Sequence, residues 1–160
     1  MLQCFMRLGR VLIAICFLLG CATSRADEAP TAPIPLEDRQ WVIASYNDGT
    51  SLVRWRDLFS HTGWIRFAEG MVEGASACGA FVGTYRLVEN EITLEVGVIL
   101  AGTCIRRDGR RPANTWPLNA PVLNALNGTR TIIREEDGLV LRDASGQPQI
   151  VLTSPETTTP

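Results

Sequence analysis

GWIRFAEGMVEGASACGAFVGTYRLVENEITLEV occupies residues 63–96, and its reading decides the fold. Gly63 to Phe67 alternates around Arg66 with the period of two that marks a strand with one buried face. Ala68–Glu69–Gly70 turns the chain, and Met71 to Glu73 runs on outward. Phe81 to Leu87, rich in aromatic and β-branched residues, predicts the next strand, and Val88–Glu89–Asn90 the next turn. Glu91 to Val96 alternates throughout, with Ile92, Leu94 and Val96 on one face. Gly74, Gly79 and Gly83 permit close backbone approach or a bulge, and Phe81 and Tyr85 flank Gly83 on one strand face. These residues read as a packing motif. A phosphate-cradling glycine loop is disfavoured, because neither a Lys nor a following helix accompanies them.

The same signals continue on both sides. Gln40 to Tyr46 predicts a strand, and Asn47–Asp48–Gly49–Thr50 a tight turn. Arg106 to Pro117 reads as a loop carrying four Arg, one Asp and two Pro. Asn119 to Leu126 predicts a short helix, capped by Asn119, with Pro121 in its first turn and Asn127–Gly128 at its end. Packing of Val122, Leu123 and Leu126 must hold so short a helix. Arg130 to Arg134, Leu139 to Arg142 and Gln149 to Thr153 predict three closing strands, joined by turns at Glu135–Gly138 and Asp143–Pro148. Strands at this spacing imply a mainly β domain, a small antiparallel barrel or sandwich, with one short helix near the C-terminal third.

The chain has 160 residues, 46% hydrophobic and 20% charged, within the range of one globular domain. Its first residues read as an address. Arg7 and Arg10 precede an apolar run, Val11 to Leu19, which is too short to span a bilayer and fits a signal segment over 1–20. Leu18–Leu19–Gly20–Cys21 resembles a bacterial lipobox, with cleavage before a lipidated Cys21; the alternative is cleavage after Ala26. Ala22 after Cys21, by resemblance to enterobacterial lipoproteins, implies the periplasmic side of the outer membrane; the alternative cleavage implies a soluble periplasmic protein. Residues 21–35 are Pro-rich and read as a tether, 36–154 as the domain and 155–160 as a disordered tail. Arg7, Arg10 and Arg25 precede Asp27 and no acid does, so a chain starting there carries 12 Arg against 17 acids. That balance argues against a nucleic-acid partner.

Of five cysteines, Cys4 and Cys16 fall in the signal segment and Cys21 at the cleavage site. Cys78 and Cys104 remain, an even pair in an oxidising compartment, and are expected to form a disulfide; two buried thiols are the alternative. No metal site is expected, since a zinc site takes three or four ligands and His61 is the only histidine. No cofactor is expected either.

Gly74 to Tyr85 (GASACGAFVGTY) resembles the META domain, also called HslJ-like, of bacterial envelope proteins. Ile65–Arg66–Phe67, Gly74, Cys78, Phe81, Gly83 and Tyr85 match that family's core in order. Ile92–Thr93–Leu94, Cys104, the late helix and Asp137 to Leu141 continue the match across nearly the whole domain. Gly79 departs from the family's usual Asn after the Cys, and the Arg/Pro-rich loop after Cys104 departs from its shorter, more acidic approach to the helix. The resemblance implies a small β domain in the envelope, associated with heat-shock and antibiotic-tolerance phenotypes.

Ser60–His61 invites a hydrolase reading, but the chain lacks a Gly-x-Ser-x-Gly elbow. Acidic clusters at Glu89/Glu91 and Glu135–Glu136–Asp137 read as solvated turns rather than a cation site. Trp41, Trp55, Trp64 and Trp116 read as core or half-core rather than as a ligand platform. Arg106, Arg107, Arg110 and Arg111 form the leading surface candidate, suited to an anionic contact such as a lipid headgroup, a lipopolysaccharide phosphate or an acidic protein. The expectation is thus a non-enzymatic envelope lipoprotein acting in stress tolerance or maintenance through partner binding. A periplasmic barrel binding a small molecule or lipid is the alternative, and a hydrolase the least favoured.

Overall fold

The computed structural model describes residues 36–102, 106–111, 116–135 and 138–155. The chain divides into two units, Met1–Ala32 and Pro33–Pro160, and all described residues belong to the second. The expected signal segment, Cys21, the tether, Cys104, Glu136, Asp137 and residues 156–160 lie outside the described residues.

Nine strands and two helices follow one another among the described residues: β1 (Gln40–Asn47), β2 (Leu52–Arg54), α1 (Trp55–Leu58), β3 (Trp64–Ala68), β4 (Met71–Ala75), β5 (Gly79–Val88), β6 (Glu91–Ala101), α2 (Trp116–Gly128), β7 (Thr131–Glu135), β8 (Gly138–Arg142) and β9 (Pro148–Thr153). Every strand pairing is antiparallel. The sheet runs β2-β1-β3-β4-β5-β6-β7-β8-β9, and β1 pairs back onto β9, from Val42↔Thr153 to Tyr46↔Ile150. Eight strands therefore close into a barrel, and β2 hangs outside it on β1. Register shifts at Ile43/Ser45, Ala80/Phe81 and Leu141/Arg142 supply the local bends that closure demands.

Alternation carries the core. In β3, Ile65 and Phe67 point inward while Arg66 faces solvent beside Glu73 of β4. Ile92 and Leu94 of β6 do the same between Glu91, Thr93 and Glu95. Trp41, Ile43, Phe67, Phe81, Leu139, Leu141 and Ile150 fill the interior, each at most 1% exposed. Burying each such side chain is worth roughly 1.5–3 kcal/mol. Gly74 and Gly83 make that packing possible. An added Cβ would lie 2.2 Å from the Trp64 carbonyl oxygen at Gly74, and 2.1 Å from that of Glu95 at Gly83.

The barrel has one thin seam. β6 and β7 share a single ladder pair, Glu91↔Thr131, and from that pair they run apart. Helix α2 covers the gap, burying Val122, Leu123, Ala125 and Leu126. Asn127 completes the ladder: its Oδ1 accepts from Val96 N at 2.7 Å and its Nδ2 donates to Val96 O at 3.0 Å. A helix side chain thus presents to β6 the donor and acceptor that a neighbouring strand would. The Arg130 guanidinium donates to the Asn127 and Thr129 carbonyls and closes the helix C-terminus.

Three expectations need correction. The helix begins at Trp116, not Asn119, so Asn119 is no cap and Pro121 lies beyond the first turn. β2 and α1 carry no periodicity that sequence reading detects. β6 extends to Ala101, beyond the alternating Glu91–Val96.

Candidate functional site

The strands run between two ends of the barrel. At one, the described chain starts at Leu36, whose carbonyl accepts from Trp41 Nε1 at 3.0 Å, and the Glu69–Gly70 and Glu89–Asn90 turns lie alongside. At the other lie residues 48–63, 76–78, 102–111 and the 143–147 turn. The four arginines singled out in the sequence belong to this second end.

Their loop is a compact turn. Arg106 N donates to Arg110 O at 3.0 Å, and Gly109 N to Arg106 O at 2.9 Å. Asp108 sits at its centre, accepting from Arg110 N at 3.0 Å and facing Arg106 Nε at 3.9 Å and Arg110 Nε at 3.6 Å. The turn docks on α1. Phe59 and Arg106 form an isolated antiparallel bridge, Arg107 N donates to Leu58 O at 3.1 Å, and Arg107 Nη1 donates to Arg56 O at 2.6 Å. These bonds bring exposed Arg56 beside the loop, and exposed Arg54 precedes Arg56 by two residues. Sequence reading missed both, because fifty or more residues separate them from Arg106.

Beneath the arginines lies an aromatic stack. Trp55 packs against Tyr46, Phe59 and His61, with ring centroids 5.9, 4.8 and 5.9 Å away. Trp55 Nε1 donates to His61 O at 2.7 Å. Gly63 leaves room for the indole, since a Cβ there would meet Trp55 Cζ2 at 2.6 Å. Burial pushes the Tyr46 phenol above its usual range; the Asp48 carboxylate adds to the effect and Arg106 opposes it.

His61 Nε2 lies 3.3 Å from the Ser76 carbonyl oxygen. A carbonyl only accepts, so Nε2 carries the proton here. The Ser76 hydroxyl faces Asn119 Oδ1 at 2.9 Å and Gly79 O at 3.1 Å. Asn119 Oδ1 also accepts from Cys78 N at 2.8 Å, so this buried amide ties α2 to the 76–78 turn. Cys78 is buried and disulfide-bonded; Cys104, its expected partner, lies outside the described residues. Among the described residues no three His, Cys, Asp or Glu side chains gather as metal ligands would.

The motif residues sit around the core. Phe67 and Tyr85 stack edge to face at 5.2 Å, Phe81 fills the space over Gly74, and the Gly79 carbonyl holds Ser76 N at 2.7 Å. The Tyr85 hydroxyl donates to Glu37, at the end away from the arginines. Burial, and then that carboxylate, pushes the Tyr85 phenol up to about 12. Trp41 and Trp55 are core residues and Trp64 is half-buried; the Trp116 side chain lies outside the described residues.

No protein-family model matches the chain, and no curated protein matches it. Two solved structures are similar. The NMR structure of a protein from Burkholderia xenovorans aligns with a TM-score of 0.53 and 17% identity, over 74% of this chain and 82% of its own. The crystal structure of a DUF4847 family protein from Bacteroides vulgatus aligns with a TM-score of 0.49 and 11% identity, over 74% of this chain and 93% of its own. At 17% identity the Burkholderia protein speaks for the fold alone.

Proposed function

We propose that this chain is the precursor of an exported, non-enzymatic envelope lipoprotein with a META (HslJ-like) domain. Acyl chains on Cys21 hold it at the periplasmic face of the outer membrane, and it serves envelope stress tolerance or maintenance by binding a partner on its outer surface. The observation that carries this reading is the filled barrel. Trp41, Phe67 and Phe81, each at most 1% exposed, occupy the interior where a ligand-binding barrel keeps a cavity. Recognition then falls to the outside, where the arginine end offers the densest charge. The lipobox-like Leu18 to Cys21 supports the anchor, and the disulfide at Cys78 supports an oxidising compartment. Acyl chains contribute about 0.8 kcal/mol of membrane affinity per buried methylene, so a multiply acylated Cys21 holds stably.

The test is the intact mass of the mature protein from its own host, with and without reductant. A lipid-bearing chain starting at Cys21, two hydrogens lighter before reduction, is the expected result. An unlipidated chain starting at Asp27 overturns the anchor and makes the protein a soluble periplasmic one. Crosslinking in the native envelope followed by pull-down then identifies the partner.

A further inference from the structure

We propose that the arginine end of the barrel docks on an anionic lipid surface. The inference rests on the anchored reading above and goes further, fixing the extent of the surface and its ligand. Six arginines from two chain segments compose it: Arg54, Arg56, Arg106, Arg107, Arg110 and Arg111. Five of them are exposed and Arg106 is half-buried; the Arg110 side chain retains 83% of its accessible surface. Asp57 and Asp108 lie within the same two segments, and Asp48 and Asp143 at the same end of the barrel, so six arginines stand against four acids. The backbone bonds from Arg107 to Leu58 and the Phe59–Arg106 bridge hold the segments together over the Trp55 stack, so the array is fixed before it meets a ligand.

The opposite end carries the other sign. Glu37, Asp38, Glu69, Glu89, Glu91 and Glu135 are all exposed there, with Arg39, Arg130 and Arg134 beside them. The described chain also begins at this end, at Leu36. A domain charged in this way turns its arginine end toward an anionic surface. The arginines come from the end of β2, the short helix α1 and the 106–111 turn. Such an array suits a plane of repeated phosphates, each accepting one guanidinium fork, better than a single small anion.

The full chain, purified in detergent, is reconstituted into neutral phosphatidylcholine vesicles, and flotation reports its incorporation. Fluorescent phosphatidylglycerol vesicles are then added and their capture measured against salt. Capture at low salt, weakening as salt rises, is expected. Replacing Arg54, Arg56, Arg110 and Arg111 by Ser should lower capture at least tenfold, since each arginine near an anionic surface is worth about fivefold. Arg106 and Arg107, which hold the loop, stay in place, and circular dichroism checks the fold. Removing Arg39, Arg66, Arg86 and Arg134 instead changes net charge equally and should leave capture intact. The proposal is overturned if incorporated protein captures no phosphatidylglycerol vesicles, or captures neutral ones as well. It is also overturned if the two variants behave alike, or if polyglutamate-coated beads are captured and lipid is not, which would assign the surface to an acidic protein. Failure to float with neutral vesicles overturns the anchored reading instead.

Discussion

Gly83 sits where β5 runs so close to β6 that a Cβ would lie 2.1 Å from the Glu95 carbonyl oxygen and 2.8 Å from Val96 Cα. Backbone atoms of a paired strand cannot step aside as a flexible side chain can. Gly83→Ala should therefore destabilise the fold by about 1–3 kcal/mol, read as a lower urea midpoint. Gly97→Ala is the control: nothing lies within 4 Å of a Cβ there, and its midpoint should hardly move. The two tyrosines give a second prediction. Both phenols are held above the ordinary value of 10, Tyr85 at about 12. The folded state binds these protons more tightly than the unfolded chain. Their contribution to stability is thus fully present below about pH 10 and is lost as pH rises toward 12. An absorbance titration should show both phenols ionising later in the native protein than in urea; coincident curves would refute the burial of the two rings. At this scale the sequence was legible for Gly74 and Gly83, whose spacing around Phe81 announced close approach. It was not legible for Asn119, which carries the chemistry of a helix cap but spends its oxygen on Cys78 N and the Ser76 hydroxyl.

Helix α2 and strand β6 meet through one side chain. Asn127–Gly128 marks a helix end in the sequence, and the helix does end there. That the same carboxamide would replace a strand beside Val96 follows only from the divergence of β6 and β7 after Glu91↔Thr131. Asn127→Ala should cost about 0.5–1.5 kcal/mol and accelerate hydrogen exchange at the Val96 amide, with little change at the β5–β6 amides. Uniform acceleration would mean that the residue supports the whole barrel rather than the seam. β2 and α1 escaped sequence reading for another reason. Three and four residues are too few to show a period, and α1 has no side-chain cap to announce it.

Across the molecule, the disulfide at Cys78 fastens the turn that Asn119 also holds. If Cys104 is its partner, as proposed, the bridge closes a loop of about 25 residues and is worth about 3 kcal/mol in the chain-entropy model. Reductant should then lower the urea midpoint of the wild type and leave that of Cys104→Ser unchanged. A Cys104→Ser midpoint that still responds would place the partner elsewhere. The separation of charge between the two ends also belongs to this scale. Sequence reading found the Arg106–Arg111 cluster and treated the acids as turn charge, but it could not see that strand direction sends them to opposite ends.

The sequence by itself determined the strands of the barrel, because alternation and turn chemistry are local properties. Phe67 is inward and Arg66 outward whichever strand lies beside them. It also determined the motif glycines and the arginine loop. Tertiary structure alone decided that β1 closes on β9, that α2 seals the seam, and that Arg56 meets the loop over Trp55. Those facts depend on which distant segments fit each other in shape and hydrogen bonding, and no local pattern encodes that fit.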